Sequence, residues 1–249
     1  MNRQEYIDAI RGRHSCRSFN GLEPQMRDSI ADIASKSPHL KPILLKSDGH
    51  IGTYGIIRGC KAAVAVIAGE TPAQTIQAAI DAEDFVLQCT HLGIGTCWLG
   101  GTFKVSGTGI DKKIPAIIAV GHPNEKPHML DRIMRRFARS SSRKPFEDLF
   151  TAVDPSCDIS PYRLPLEMIR LAPSACNAQP WRACVDECGD IHFYCVTDNK
   201  YSSLDMGIAL CHFRLTAPDG EFYDTASAPQ HIFPGAKYIC SWHRGIERI

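Results

Sequence analysis

The chain has 249 residues, 44% of them apolar and 22% charged, with a formal net charge of +1. That length can bury a sizeable core in one large or two small domains, and the ordinary composition excludes global disorder. A charge this close to zero supplies no whole-protein field for nucleic acid or a membrane surface.

The longest apolar runs, 62–69 and 114–121, are far too short to span a bilayer. The first ten residues carry Arg3, Glu5 and Asp8 and lack an apolar signal region, so a cytoplasmic protein is expected. Eleven cysteines include no Cys-x-x-Cys pair and read as buried, reduced thiols rather than zinc or iron–sulfur ligands. Cys184 and Cys188 lie four apart, but in a stretch that alternates like a strand.

Tyr6, Ile7 and Ile10 recur at helical spacing and predict a short amphipathic helix over 2–13. Met26, Ile30 and Ile33 predict a second over 23–34, ended by Pro38 and Pro42. Residues 62–68 form a continuous apolar run that suits a strand covered on both faces. A longer helix follows over 72–92 and stops at Gly93. A buried strand is expected at 114–120, then a basic polar stretch over 126–144. The segment 154–161, rich in Pro, Ser and Asp, marks a boundary between halves 1–153 and 154–249. The second half predicts a helix at 166–172 and a hairpin of strands 183–187 and 191–196 around Gly189-Asp190. An apolar helix at 203–215 and a last strand at 238–242 complete it. The halves echo each other: Ser37-Pro38 answers Pro173-Ser174, and Cys89-Thr90-His91 answers Cys211-His212-Phe213. Chance similarity and an old duplication both account for that echo.

Four constellations carry candidate chemistry. In Arg13-His14-Ser15-Cys16-Arg17-Ser18-Phe19, two guanidiniums flank a hydroxyl. In an extended segment positions 13, 15 and 17 point one way and make a row that fits a phosphate. The same residues also read as a solvated basic turn. Gly93 to Gly101 combines glycines, which admit close backbone approach to a flat ligand, with Trp98 and Leu99. A tight structural loop with a core Trp is the alternative. Pro173, Ser174, Asn177, Gln179, Pro180 and Trp181 make a rigid loop of directional polar groups beside an aromatic, or a loop that merely caps its own backbone. Arg143 ahead of Pro145 is a third phosphate cation or a surface charge.

In this order the four motifs resemble the nitroreductase family of FMN proteins. The motifs are Arg-x-Ser-x-Arg-x-Phe, Gly-x-Gly-Thr-x-Trp, a late Arg before Pro, and Pro-Ser-x-x-Asn-x-Gln-Pro-Trp. The resemblance implies an α+β nitroreductase-like fold, with antiparallel or mixed sheets packed on helices and two pseudo-repeated halves in one chain. It also implies FMN as cofactor, NADH or NADPH as co-substrate, and a small-molecule oxidant such as a nitro compound or quinone. In common members the Asn-x-Gln-Pro-Trp loop comes early and serves the partner subunit's flavin. Here it lies in the second half, and its first-half counterpart, 36–41, lacks the Asn and Gln. That arrangement is similar to the Thermotoga-type branch, in which a fused chain keeps one complementary site.

Carried onto this chain, the resemblance implies that Arg13, Ser15, Arg17 and Arg143 hold the FMN phosphate and ribityl chain, with His14 alongside. Pro173, Ser174, Asn177 and Gln179 would meet the flavin's polar edges, and backbone at Leu99, Gly100 and Gly101 would approach the reactive ring nitrogen. No protein nucleophile and no metal is implied, and Cys16 and Cys97 are assigned packing roles. A monomeric pseudo-dimer or a homodimer both fit. A non-catalytic flavin carrier is the main alternative, and a flavin-destroying or dehalogenating relative is another. Nucleic-acid binding would rest on Arg132, Arg135, Arg136, Arg139 and Arg143, which a solvated helix face explains more simply.

Overall fold

A computed structural model of the protein describes residues 1–45, 57–101, 103, 114–124 and 142–245. The cationic positions Arg132, Arg135, Arg136 and Arg139, and most of the basic stretch, lie outside the described residues.

Helix α1 (Arg3–Gly12) starts with a capping box: the Asn2 side chain accepts from the Glu5 N–H while the Glu5 carboxylate accepts from the Asn2 N–H. Helix α2 (Pro24–Ser35) begins with Pro24 in its first turn, where a missing N–H costs nothing. Helix α3 (Pro72–His91) has a second capping box, Thr71 with Gln74, and ends at Gly93, whose φ of +73° suits only glycine at low cost. Helices α4 (Arg163–Arg170) and α5 (Ser202–Thr216) follow in the second half.

The first sheet has the order β1 (Leu40–Leu44), β2 (Ala62–Val66), β4 (Ala116–Gly121), β3 (Gly95–Leu99), antiparallel throughout. Its centre, β2 and β4, is buried at every position, as unbroken apolar runs require. The second sheet runs β5 (Phe150–Ala152), β6 (Trp181–Val185), β7 (Ile191–Cys195), β9 (Lys237–Arg244), β8 (Gly220–Tyr223). It is mixed, because β5 and β6 are parallel and the other pairs antiparallel.

Sequence patterning missed four strands. Strand β1 contains Pro42, which reads as a breaker, yet β1 is an edge strand where a missing donor is tolerated. Strand β3 reads as a glycine loop. Gly95 is there because a Cβ would lie 2.9 Å from the Cys16 sulfur of the segment packed against it. Strands β5 and β8, of three and four residues, are too short to show a period. Strand β5 precedes the expected division at 153/154 but pairs in the second sheet.

Helices α3 and α5 form the middle layer. Alanines 78, 79 and 82 and Phe85 pack α3 on the first sheet, while Met206, Leu210 and Phe213 pack α5 on Phe193 and Trp242 of the second. The helix axes approach closely at Gly207, where an added Cβ would collide with the Ile76 carbonyl and the Ala79 Cβ. Ile7 and Ile10 of α1 join the second sheet's core, so the two halves share one interior. All eleven cysteines carry thiols, seven of them buried. Cys184 is buried on β6 while Cys188 is exposed in the turn.

Substituting Gly207→Ala tests the close approach. Helix propensity alone favours Ala by about 1 kcal/mol. The collision should outweigh that, with a net loss of about 1–3 kcal/mol and a melting temperature lower by roughly 2–10 °C in thermal denaturation. A more stable variant would contradict the packing.

Candidate functional site

Arg13 caps α1 in an extended conformation (φ −60°, ψ 130°), its N–H still bonded to the Ala9 carbonyl. The chain then runs beside β3: Ser15 bridges Thr96 in parallel, and the Cys16 N–H donates to the Thr96 carbonyl at 2.8 Å. Extended backbone alternates its side chains. Arg13, Ser15 and Arg17 accordingly line one cavity, of about 310 Å³. His14 and Cys16 line a separate pocket on the other side, with Thr90 and Pro123. The row read from the sequence is present, but the same alternation turns His14 away from it.

Three further elements close the cavity. The end of β3 contributes Trp98 and Leu99, followed by Gly100. The loop after α4 contributes Pro173, Ser174 and Asn177, with Cys176. Helix α5 contributes Leu204, Asp205 and Ile208, with Tyr201 just ahead of it. Tyr201 packs closely on Gly100, where a Cβ would be 3.1 Å from its ring. Gly101 is outside the lining; its φ of +129° and the Tyr201 hydroxyl, 2.8 Å from where a Cβ would stand, make it a glycine position.

The loop from 174 to 179 holds three non-glycine residues in the left-handed region: Cys176 at φ 53°, Asn177 at 55° and Gln179 at 49°. Such conformations cost free energy and persist where surroundings over-determine them. Here the surroundings are hydrogen bonds. The Ser174 hydroxyl accepts from the Gln179 N–H at 3.0 Å, and the Ala175 N–H donates to Asp205 Oδ1 at 2.9 Å. Gln179 is buried rather than facing the cavity. Its Oε1 accepts from the Lys144 N–H at 2.9 Å, so it buckles the loop to the segment that carries Arg143. Asn177 does this too: Nδ2 donates to the Ser142 carbonyl at 3.0 Å and Oδ1 accepts from Arg143 at 3.4 Å. Arg143 is thus held by the second half while it lines the cavity with Arg13 and Arg17.

The electrostatics of this corner are unbalanced. Burial pushes the Arg13 guanidinium below its ordinary pKa, Glu83 opposes that, and neighbouring Arg17 adds to the fall. Arg143 is lowered by burial and then by Arg13 and Arg170. Among the described residues, the buried Arg13 Nε and Arg17 Nη1 find no hydrogen-bond partner. Orphaned buried donors on mutually repelling cations make a site that fits an anion with several acceptor oxygens. A phosphate meets that requirement.

Two buried carboxyls are not among the sequence-derived site residues, although Glu83 falls on the apolar stripe of α3 and Asp205 precedes the apolar run of α5. Glu83 of α3 is wholly buried. Its Oε1 lies 2.9 Å from His212 Nε2 of α5, and its Oε2 accepts from the Trp98 indole N–H at 2.7 Å. His212 Nδ1 donates to the Met168 carbonyl at 2.8 Å. Arg13 Nε stands 4.0 Å from Glu83 Oε1. Asp205 is 5% exposed, and among the described residues no cation pairs with it. Burial pushes its carboxyl up to about 7, against the pull of the Ala175 N–H.

Two sheets around a buried helix pair, with an arginine-lined cavity beside them, define an α+β protein. The family model described as "Putative TM nitroreductase" matches residues 5–217, and the chain belongs to that family of nitroreductase-type oxidoreductases. The fold is shared with a "putative nitroreductase" from Thermotoga maritima: 21% identity, 97% of this chain and 92% of that one covered, TM-score 0.62. Shorter chains match half of this one. A nitroreductase in complex with FMN from Desulfovibrio desulfuricans is 20% identical over 51% of this chain and 94% of its own, TM-score 0.39. A nitroreductase with bound FMN from Bacteroides fragilis is 19% identical over 50% and 91%, TM-score 0.40. No curated protein matches the sequence. Among the described residues no helix is long and apolar enough to cross a membrane, and no cluster of His, Cys, Asp or Glu is arranged to hold a metal.

Because folding raises the Asp205 carboxyl, its contribution to stability is full below about pH 4 and is lost as pH rises through about 7. Asp205→Asn removes that loss. Its melting temperature, relative to the unsubstituted ligand-free protein, should rise between about pH 4 and pH 7 and level off above that. A difference that does not change with pH would show that Asp205 ionises normally.

Proposed function

We propose that the cavity binds one FMN and that the protein passes reducing equivalents from NADH or NADPH to a small electrophile such as a nitro compound or quinone. The observation that carries this reading is the convergence of Arg13, Arg17 and Arg143, with orphaned donors on the first two, in one cavity with a strand end and a polar loop. Arg13, Ser15, Arg17 and Arg143 would grip the phosphate and ribityl chain. Each charge-assisted bond contributes about 1.5–3 kcal/mol, enough together for tight non-covalent binding. Pro173, Ser174 and Asn177 would meet the polar edges of the ring. Backbone at Leu99, Gly100 and Gly101 would face the ring's reactive side, with Tyr201 backing the glycines. Bound FMN supplies the hydride chemistry, accepting two electrons and returning them. The chain's own contribution is to hold, orient and shield. His14 and Gln179 act outside the contact shell: His14 faces the other pocket and Gln179 buckles Arg143 in place.

The supply of residues also supports a fused, duplicated chain, with halves 1–153 and 154–249. The phosphate row comes from the first and the Pro-Ser-x-x-Asn loop from the second. Shared burial of α3 and α5 fits a former subunit interface now inside one chain, so the protein is a monomeric pseudo-dimer or a dimer of such chains. Eleven thiols fit the reducing cytoplasm.

Arg17→Ala is the cleaner of the arginine variants, because removing Arg13 also disturbs Glu83. It should weaken FMN binding by about 10–150-fold in a fluorescence titration while the apoprotein melts normally. Rapid mixing of the loaded protein with NADH and with NADPH should bleach the flavin with at least one of them. Failure to bind FMN overturns the reading. Binding without reduction by either donor leaves an electron carrier in its place.

A further inference from the structure

We propose that Asp205 is the acid of this cavity, a catalytic residue that hands a proton to the electrophile as it is reduced. The inference rests on the FMN reading and adds a role for a side chain that no motif singled out.

Position is the first argument. Asp205 sits in the first turn of α5 and lines the cavity beside Tyr201, one turn earlier, which lies on Gly100. Its other neighbour is the 173–177 loop, through the Ala175 N–H. These are the surroundings expected of the ring, not of the phosphate. The three arginines line the same cavity, and among the described residues none of them forms an ion pair with Asp205.

Its bonding is the second. Asp205 accepts one hydrogen bond, on Oδ1. Among the described residues nothing else bonds to this carboxyl. A buried carboxylate with one neutral donor and no cation is costly, and the group relieves the cost by holding a proton. The charged or titratable side chains lining the cavity with it are Arg13, Arg17, Arg143, Cys176 and Tyr201. Guanidiniums do not give up protons near neutral pH. Asp205 is the one carboxyl in that set, and it is held up to about 7, where an acid can be protonated and still transfer.

The chemistry is the third. A quinone that receives a hydride equivalent becomes a hydroquinone only when it also receives a proton. The O–H bond of Asp205 breaks, its electron pair remains on the carboxylate, and a new O–H bond forms on the substrate oxygen. The carboxylate then regains a proton from water at the cavity mouth. The incoming hydride from NADH or NADPH needs no such acid, so only the oxidative half of the cycle should depend on Asp205.

The test begins without flavin. In apoprotein labelled at the aspartate carboxyl carbons, the resonance missing from Asp205→Asn or Asp205→Glu is followed against pH. A midpoint near 7 is expected; a midpoint near the ordinary value of about 4 overturns the proposal. In the FMN-loaded protein, reoxidation by a benzoquinone should slow by about a hundredfold in Asp205→Asn at pH 6. The unsubstituted protein should slow as pH rises past the midpoint, and the variant should lose that dependence. Reduction by NAD(P)H, measured on the flavin-saturated variant, is the internal comparison: it should slow far less than reoxidation does, because Asn keeps an acceptor for the Ala175 N–H and hydride arrival consumes no proton. Equal reoxidation by both proteins, with normal FMN binding, rejects the acid and leaves the flavin reading intact. Failure to bind FMN at all rejects the flavin reading instead.

Discussion

A single buried carboxylate ties together the elements that surround the cavity. Glu83 projects from α3 into the seam and meets His212 of α5, the Trp98 indole of β3 and, at 4.0 Å, the Arg13 guanidinium. Burying such a charge costs several kcal/mol unless its partners are fixed in place. The partners come from α1's end, β3 and α5, so satisfying Glu83 requires those elements to sit where they do. His212 has no freedom either, since its Nδ1–H is committed to the Met168 carbonyl at the end of α4. Arg13 and Trp98 both line the cavity, and both are oriented through Glu83. Two of the cavity's walls, at Arg13 and Trp98, are therefore set through one buried charge.

The rest of the architecture serves that junction. Alanines on α3 and Gly207 on α5 let two helices approach closely, and each helix then carries a sheet on its outer side. A first-half ribbon and a second-half loop meet at the edge of this middle layer. The ribbon needs extended backbone to aim Arg13, Ser15 and Arg17 together. The loop needs three left-handed residues, held by Ser174, Asp205 and contacts with 142–144. Hydrogen bonds within the chain hold the loop's strain, while the repulsion among the arginines is left for an anion to offset.

Local patterns were the legible part of the fold. Capped helices such as α1 and α3, and unbroken apolar strands such as β2 and β4, announce themselves within ten or twenty residues. Strand β1 was hidden by Pro42, β3 by its glycines, and β5 by brevity. The site divides similarly. Alternation placed Arg13, Ser15 and Arg17 on one side, and the same rule should have turned His14 away. Gln179 belongs to the motif, yet it bonds to Lys144, a contact that sequence spacing does not reveal. Glu83 and His212 are 129 positions apart. Helical spacing puts Glu83 in line with Ile76, Ala79, Ile80, Val86 and Leu87 on the buried face of α3, but no local pattern names the partner that satisfies it.

The most direct test of the account is the number of FMN molecules held by each chain. Equilibrium titration of apoprotein with FMN, followed by flavin fluorescence and checked by native mass spectrometry, should saturate at one per chain. That result is expected if the halves contribute unlike parts to a single cavity. Saturation at two per chain, or no binding, would contradict it.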